Sequence, residues 1–522
     1  MQGLEFQSSP GMWGERAVRR DQSMLRGRTV LREVLSETAS LCPECLMLIP
    51  AKIYEDSNRV YMHKKCPEHG DYTELYWGDA EMYRRAQRYA HDGPGFEKPL
   101  VRDMGICPFK CGPCREHMST TALGNLVVTN RCNLSCWYCF FYAEKAGYVY
   151  EPGLEDLTRM MRFLRNQRPV PCNALQITGG EPTVRKDLPE IISIAKKLGF
   201  EHVQLNTNGI NIGRDYSLAR ALKERGVGIL YLSFDGVSED TNPKNHRWIP
   251  KIFENCRKVG LSTVLVPTVI KGFNDHELGD ILEFAIENMD TVRGINFQPV
   301  SLVGRMSRKE RERYRITIPD VIHRLEEQTA GAIGRRDFLP IPSVTAVTHF
   351  VEALTGEKHY ELSNHFACGM ATYVFVDEGR LVPITRFMDV EGFLEYLNER
   401  CQEIRKGGNR LVEGMRLAAS IKSFIDPVKK PRGLKLKELL FGVLTGHSYS
   451  ALGRFHKKAL FIGLMHFMDL YNYDVERVKR CDIHYVTPDL KLVPFCAFNV
   501  LPEFYRDRAQ RRFARGCLKH PV

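Results

Sequence analysis

The chain has 522 residues, of which 43% are hydrophobic, 26% charged and 10% aromatic. This composition is typical of globular proteins, and it excludes collagen, low-complexity disordered chains and membrane-spanning bundles. The formal net charge of +11 and the 16 cysteines are unusual. Residues 1–30 lack the apolar stretch of a signal peptide, so we expect a reducing, cytoplasmic compartment in which cysteines bind metal.

Residues 1–35 are expected to form a flexible N-terminal segment, and residues 36–118 a small cysteine-rich metal domain. Strands are predicted at 51–62 and 71–77, between polar turns. Cys42, Cys45 and Cys66, with His69 nearby, fit a tetrahedral metal ion. Three Cys and one His favour zinc, whereas a fourth cysteine from the next block would favour a rubredoxin-like iron, and the spacing does not decide between them.

A cysteine triplet ends this domain. Cys107, Cys111 and Cys114 have C-x3-C-x2-C spacing among Pro and Gly residues and follow no predicted strand. We interpret them as ligands of an auxiliary iron–sulfur cluster whose fourth ligand is unidentified, with a zinc site as the alternative.

A second triplet has the same spacing but a different context. Cys132, Cys136 and Cys139 directly follow a short apolar strand predicted at 123–129. Three thiolates in one loop can bind three irons of a [4Fe-4S] cluster. Because no fourth cysteine follows nearby, one iron stays open for the amine and carboxylate of S-adenosylmethionine (SAM), which is then cleaved reductively to a 5′-deoxyadenosyl radical.

Strands and helices alternate with short loops through residues 119–305. This alternation predicts a parallel α/β sheet, either open or closed into a partial barrel. Helices are predicted at 154–167, 187–198, 216–225, 252–259 and 275–289.

A glycine-rich turn follows the second predicted strand of this region. Gly179, Gly180, Glu181 and Pro182 offer close backbone approach and a carboxylate for the methionine ammonium group. Tyr138, which precedes the last cysteine of the second triplet, is a candidate to lie against adenine. The turn and the preceding strand count against a structural zinc site.

Residues 306–522 are predicted to form a mixed α+β domain, with hairpins at 372–384 and 483–495 around a largely helical middle. Its cysteines Cys368, Cys481, Cys496 and Cys517 could bind another [4Fe-4S] cluster, and unligated buried thiols are the alternative. The apolar stretches 439–444 and 459–468 are candidate linings for a long-chain substrate, although the methionines of the second are favoured as core.

Residues 422–458 carry nine Lys or Arg against two acidic residues, with apolar residues between them. Such a segment suits a surface that contacts anionic lipid headgroups, and a solvated basic face is the alternative. Nucleic acid is not expected as a partner, because no base-reading motif accompanies the charge.

The strings CNLSCWYC and GGEP resemble the radical SAM superfamily. This resemblance implies a partial (β/α)6 barrel with its chemistry at the carboxyl ends of the strands. It also implies that Asn206, Asn208, Ser233 and Asp235 contact the ribose and methionine of SAM.

A closer resemblance covers residues 36–506. The ordered strings CPEC, CPEHG, CPFKCGPC, CNLSCWYC, ITGGEPT, LSFDG, LVPITRF, MHFMD and HYVTPDLKLVPFC are similar to the archaeal tetraether lipid synthase family. The resemblance implies coupling of the terminal methyl carbons of phytanyl chains into tetraether lipids, with three [4Fe-4S] clusters and a rubredoxin-like iron. Some members have been described as dimethyltransferases of 6-hydroxymethyl-7,8-dihydropterin, so radical SAM methylation of this pterin in methanopterin biosynthesis is the alternative.

Three hypotheses follow: lipid coupling, pterin methylation, and a non-catalytic metal-binding module, which the GGEP turn disfavours. Expected partners are a long-chain isoprenoid lipid or a dihydropterin, a reducing electron donor and an anionic membrane surface. The expected location is cytoplasmic and peripheral to the membrane.

Overall fold

The computed structural model describes residues 33–98, 107–112, 114–141, 146–303, 308–446, 455, 458–514 and 516–517. Nearly all of the segment 1–35, which was expected to be flexible, lies outside these residues. The first described unit is an antiparallel four-stranded sheet in the order β1-β2-β3-β4, followed by a helix. Its elements are β1 (Glu33–Leu41), β2 (Leu48–Asp56), β3 (Arg59–Cys66), β4 (Gly70–Trp77) and α1 (Ala80–Gln87).

The prediction of one strand over 51–62 was wrong, because a tight turn divides this region between β2 and β3. Ser57 and Asn58 have φ angles of 53° and 59°. Two successive left-handed residues reverse the chain as in a type I′ hairpin turn, which matches the twist of the flanking strands.

The central region alternates strands and helices as predicted. Its elements are β5 (Leu123–Thr129), β6 (Tyr148–Val149), α2 (Leu154–Arg165), β7 (Ala174–Gly179), α3 (Leu188–Lys197), β8 (His202–Thr207), α4 (Ile210–Arg214), α5 (Tyr216–Arg225), β9 (Ile229–Ser233), α6 (Ile249–Val259), β10 (Ser262–Val266), β11 (Thr268–Val269), α7 (Leu278–Glu287) and β12 (Val292–Pro299). Six strands pair in parallel in the order β5-β7-β8-β9-β10-β12. The predicted α/β fold class is confirmed.

The C-terminal region adds strands to both edges of this parallel sheet. Its elements are α8 (Arg308–Tyr314), α9 (Ile318–Gln328), β13 (Leu339–Pro340), α10 (Thr345–Thr355), β14 (Gly369–Asp377), β15 (Arg380–Pro383), α11 (Val390–Arg405), α12 (Arg410–Ser420), α13 (Leu436–Gly446), β16 (Leu460–Met465), α14 (Val475–Lys479), β17 (Ile483–Val486), β18 (Leu492–Pro494), α15 (Phe495–Val500), α16 (Arg506–Arg512) and β19 (Gly516–Cys517). β16 pairs in parallel with β12, and β17 pairs in parallel with β5. Both predicted hairpins are present, as β14–β15 and β17–β18.

The largest hydrophobic core lies between the parallel strands and their helices, and includes buried residues of α2, α3, α6 and α7. A second cluster contains side chains of β17, β18 and α15 together with Cys111 and Cys496. The C-terminal strands therefore bring metal-binding residue types from distant segments close to the barrel. Among the described residues, no helix combines the length and apolar character that crossing a membrane requires.

Candidate active site and metal centres

Cys132, Cys136 and Cys139 lie in the loop that follows β5, at the carboxyl edge of the parallel sheet. All three are partly exposed and line one cavity of about 340 Å³. Burial raises the pKa of the Cys132 thiol to about 12 and also raises that of Cys136. Since thiolates are the metal ligands, binding of a metal group here would have to release the thiol protons.

The turn at Gly179 and Gly180 packs directly against the cysteine loop. The Gly180 amide donates to the Thr129 carbonyl at 2.9 Å, and the Glu181 amide donates to the Arg131 carbonyl at 2.8 Å. A Cβ on Gly180 would lie 2.3 Å from the Arg131 carbonyl oxygen. Only glycine permits this close backbone approach, so the turn holds the cysteine loop in place.

Glu181 is a buried hydrogen-bond acceptor that joins several chain segments. Its Oε1 accepts from the Thr183 amide at 3.0 Å and from the Thr207 hydroxyl at 2.8 Å. Its Oε2 accepts from the Asn208 amide at 2.7 Å. Burial raises the pKa of this carboxyl group, although these hydrogen bonds oppose the effect. The structure therefore gives Glu181 a bracing role between β7 and β8, and its contact with the methionine ammonium group stays a prediction.

The cavity combines amide and hydroxyl groups on one side with an apolar wall on the other. Asn206 lines it, and its buried Oδ1 has no hydrogen-bond partner among the described residues. A buried acceptor without a partner costs free energy of about 1–3 kcal/mol, so this atom suits a ligand donor. The remaining wall includes Phe140, Phe141, Val300, Met465, Phe467, Ile483 and Phe495.

Tyr138, Ser233 and Asp235 converge on Lys244, a residue that the sequence analysis missed. The Lys244 ammonium contacts the Asp235 carboxylate and the Ser233 hydroxyl, and lies 3.2 Å from the Tyr138 hydroxyl. The Tyr138 hydroxyl also donates to Asp235. The Lys244 side chain is 6% exposed. Lys244 follows Ser233 by 11 residues in a loop with no motif, so the sequence carried no signal for this contact.

Predicted contact residues thus occupy the carboxyl ends of β5, β7, β8 and β9. The Asn208 amide group donates to the Asn133 side chain at 2.8 Å, which connects β8 to the cysteine loop. Pro182 begins a short 3-10 turn directly after Glu181. The individual SAM contacts of these residues remain predictions.

A separate metal centre lies in the N-terminal sheet. The Sγ atoms of Cys45 and Cys66 are 3.8 Å apart, and His69 Nδ1 lies 3.7 Å from Cys42 Sγ and 3.5 Å from Cys66 Sγ. Ligands at about 2.0–2.3 Å in a tetrahedron lie about 3.3–3.8 Å from one another. The four groups therefore match one tetrahedral ion, with His69 completing the set.

The Cys107 triplet lies beside the C-terminal domain. Cys107 and Cys111 share a hydrogen bond that lowers the pKa of the Cys107 thiol and raises that of Cys111. The Tyr505 hydroxyl accepts from the Cys111 amide at 3.0 Å and donates to the Pro108 carbonyl. This hydrogen bonding places α16 and its preceding turn against the triplet.

Cys368 and Cys496 lie near the buried Arg477, and Cys481 lies near both of these cysteines. The Arg477 guanidinium donates to Cys368 Sγ at 3.4 Å, and burial raises the pKa of the Cys496 thiol to about 12. Burial, followed by the charges of Cys496, Asp482 and Cys368, raises the pKa of Cys481 well above its usual value. The side chain of Cys517, in β19, lies outside the described residues.

One hydrophobic cluster contains cysteines of the Cys107 triplet, the Cys132 triplet and the C-terminal group. Burial, followed by the charges of Cys111, Cys107 and Cys496, raises the pKa of Tyr473. Cys107, Cys111, Cys139, Cys481 and Cys496 all belong to one hydrophobic cluster with Tyr473. The structure thus brings members of three cysteine groups into one part of the molecule, and their assignment to auxiliary clusters stays a prediction.

Comparison with known proteins agrees with this geometry. Residues 126–285 match the radical SAM superfamily, and residues 34–78 match the HMPTM N-terminal zinc ribbon domain. The chain is 48% identical over 488 residues to a 7,8-dihydro-6-hydroxymethylpterin dimethyltransferase of Methanocaldococcus jannaschii, covering 92% of this chain and 95% of the relative.

More distant relatives match part of the chain. A GTP 3′,8-cyclase of Clostridium acetobutylicum is 29% identical over 238 residues, covering 44% of this chain and 69% of the relative. A solved radical SAM methyltransferase from Sphaerobacter thermophilus is 13% identical with a TM-score of 0.30, covering 58% of this chain and 75% of that one.

Proposed function

Because the chain belongs to the family of the 7,8-dihydro-6-hydroxymethylpterin dimethyltransferase and is a radical SAM enzyme, we propose that it methylates a dihydropterin carbon. The observation that carries this proposal is the 48% identity to a relative of that name over 95% of its length. Lipid coupling, which the sequence analysis placed first, has less support from the comparisons and becomes the second candidate.

Cys132, Cys136 and Cys139 would hold the SAM-binding [4Fe-4S] cluster, which when bound supplies the electron that cleaves SAM to a 5′-deoxyadenosyl radical. The unpaired Oδ1 of Asn206 is suited to accept a hydrogen bond from SAM. Gly179 and Gly180 let the backbone approach the site closely.

The Lys244 network forms another part of the cavity lining. Lys244 draws Tyr138, Ser233 and Asp235 together, so these groups are held in one arrangement before SAM binds. Because these side chains are already fixed, less conformational entropy is lost when SAM binds to them. The apolar wall beside it limits water around the radical.

The other thiol groups are assigned to auxiliary clusters. Cys107, Cys111 and Cys114 would bind one, and Cys368, Cys481 and Cys496 would bind another, with Cys517 as a further candidate ligand. Ile483 and Phe495 support this assignment because they line the cavity and stand within two residues of Cys481 and Cys496. Cys42, Cys45, Cys66 and His69 would hold zinc or iron. An external reductant would supply the electrons.

The second candidate function, coupling of phytanyl methyl carbons, is favoured by the apolar wall of the cavity. Met465 and Phe467, from the stretch 459–468, are part of that wall. Leu439, Leu440 and Leu444, from the stretch 439–444, pack instead in a separate hydrophobic cluster.

Exposed apolar side chains on α12 and in the segment after it add to the second candidate. Leu411 is 71% exposed, Met415 57% and Val428 91%. Lys429, Arg432 and Lys435 are exposed nearby in the chain, within the basic segment 422–458. Exposed apolar groups among basic residues suit an anionic membrane surface, from which a lipid substrate would be taken.

One anaerobic assay separates the two functions. The reconstituted enzyme, with dithionite and SAM, is offered either 6-hydroxymethyl-7,8-dihydropterin or an archaeal diether lipid, and products are measured by mass spectrometry. Pterin methylation predicts that each added methyl increases the pterin mass by about 14 Da and that 5′-deoxyadenosine accumulates with pterin. If only the lipid stimulates 5′-deoxyadenosine formation and yields a coupled product, the pterin proposal is overturned and the second candidate is supported.

A further inference from the structure

A second group of metal-ligand residue types contains no cysteine. It consists of His91, in the loop after α1, His349 on α10, and Glu361, in the segment between α10 and β14. The three residues are up to 270 positions apart in the sequence. We propose that His91, His349 and Glu361 bind one late first-row divalent metal ion, of the class of Zn²⁺.

The spacing of the ligand atoms fits a shared ion. His91 Nε2 lies 3.0 Å from Glu361 Oε2, and His349 Nε2 lies 3.2 Å from Glu361 Oε1. All three ligand groups are within 4.8 Å of one another. Ligands at about 2.0–2.1 Å from one ion lie about 2.9–3.4 Å apart in octahedral or tetrahedral geometry. Both measured separations fall in that interval.

The donor types select the class of metal. Two imidazole nitrogens and one carboxylate suit zinc, iron, cobalt or nickel, whereas calcium and magnesium prefer an all-oxygen set. A carboxylate is ordinarily ionised at neutral pH, as a ligand must be.

The three side chains differ in solvent exposure. Glu361 is 7% exposed, His349 18% and His91 32%, measured on the side chains. His91 also lines a cavity of about 320 Å³, which gives an ion and its remaining water ligands a path to the site. The alternative to a metal site is a metal-free cluster in which both histidines pair with the buried Glu361 carboxylate.

A bound ion would connect three chain segments. It would attach the loop after the N-terminal sheet to α10 and to the segment that leads from Glu361 to Cys368. Metal binding to the folded state alone stabilises that state, so the ion would raise the melting temperature. It would also hold the segment that carries one of the proposed auxiliary-cluster ligands.

The test compares zinc uptake by the anaerobically purified holoprotein and its variants His91→Gln and Glu361→Gln, after dialysis against a chelator. The matched control is His63→Gln, because His63 Nε2 pairs with Asp71 at 3.1 Å on the surface without a second imidazole. Zinc per chain is counted by elemental analysis, affinity is measured by isothermal titration, and cluster absorbance reports whether the thiol sites are intact.

We expect the wild type and His63→Gln to bind one zinc ion more than the two site variants, or to bind it at least about tenfold more tightly. Their melting temperatures rise on adding zinc, and those of the site variants do not. Equal zinc stoichiometry and affinity in all four proteins overturns the proposal and leaves an ion-paired cluster. If Glu361→Gln fails to fold, the more exposed His91→Gln decides the question alone.

Discussion

Gly180→Ala tests whether the glycine turn positions the cysteine loop. The new Cβ would lie 2.3 Å from the Arg131 carbonyl oxygen and 2.9 Å from that of Asn130, both of which belong to backbone. Neither atom can rotate away as a side chain would, so the turn and the loop must separate. Separation breaks the hydrogen bonds from the Gly180 and Glu181 amides.

The size of the effect follows from these contacts. Each hydrogen bond contributes about 1 kcal/mol, and the displaced backbone adds at least about 1 kcal/mol. If SAM binds only when the loop and turn are in contact, this local cost of about 3 kcal/mol appears in binding. At about 1.4 kcal/mol per factor of ten, SAM affinity falls on the order of a hundredfold.

The assay is equilibrium binding of SAM to the reconstituted enzyme, with 5′-deoxyadenosine formation as a second readout. Gly414→Ala on α12 is the matched control, because its Cβ would meet only Leu354 at 3.5 Å. Alanine is favoured over glycine within a helix, so this variant keeps full affinity. Gly180→Ala binding SAM within about threefold of the wild type would refute the positioning role.

Three further predictions concern the cluster, the lysine network and the exposed surface. Cys136→Ala abolishes 5′-deoxyadenosine formation, whereas the control Cys256→Ala, at a buried position of α6, retains it. Formation of 5′-deoxyadenosine by Cys136→Ala contradicts the ligand assignment. Lys244→Met removes the ammonium contacts with Tyr138 and Asp235, and it raises KM for SAM at least about fivefold while cluster absorbance is unchanged. An unchanged KM contradicts the role of this network. Met415→Glu with Val428→Glu reduces flotation with anionic vesicles, and equal flotation of both proteins argues against membrane contact.

Local signals in the sequence predicted the parts of the site that lie on one strand and the loop after it. The helix predicted at 216–225 was confirmed with the same bounds, and the strand before Cys132 was found where the apolar run predicted it. Gly180 could be identified because its motif directly follows a strand, and the close backbone approach requires glycine at that point.

Contacts between distant segments could not be predicted in this way. Lys244 lies in a loop without periodicity, and its role depends on the curvature that brings β9 toward the Tyr138 loop. The apolar run containing β16 gave no indication that it pairs with β12 and extends the sheet, because an apolar run of this length fits a strand or a buried helix equally. His91 and Glu361 meet only through tertiary packing.

Hydrogen bonds among side chains that line the cavity affect which substrate it can bind. The Gln176 amide donates to Asn125 Oδ1 at 2.5 Å, and Gln204 donates to Gln176, so these side chains are already hydrogen-bonded to one another. The unpaired Oδ1 of Asn206 is suited to SAM. A dihydropterin placed against Phe467 and the rest of the apolar wall would have to obtain hydrogen bonds for its ring edge either by displacing these hydrogen-bonded pairs or from other polar residues of the lining, such as Asn296 and Gln298. A phytanyl chain would need neither, and for this reason the substrate assay, rather than family membership alone, decides between the two functions.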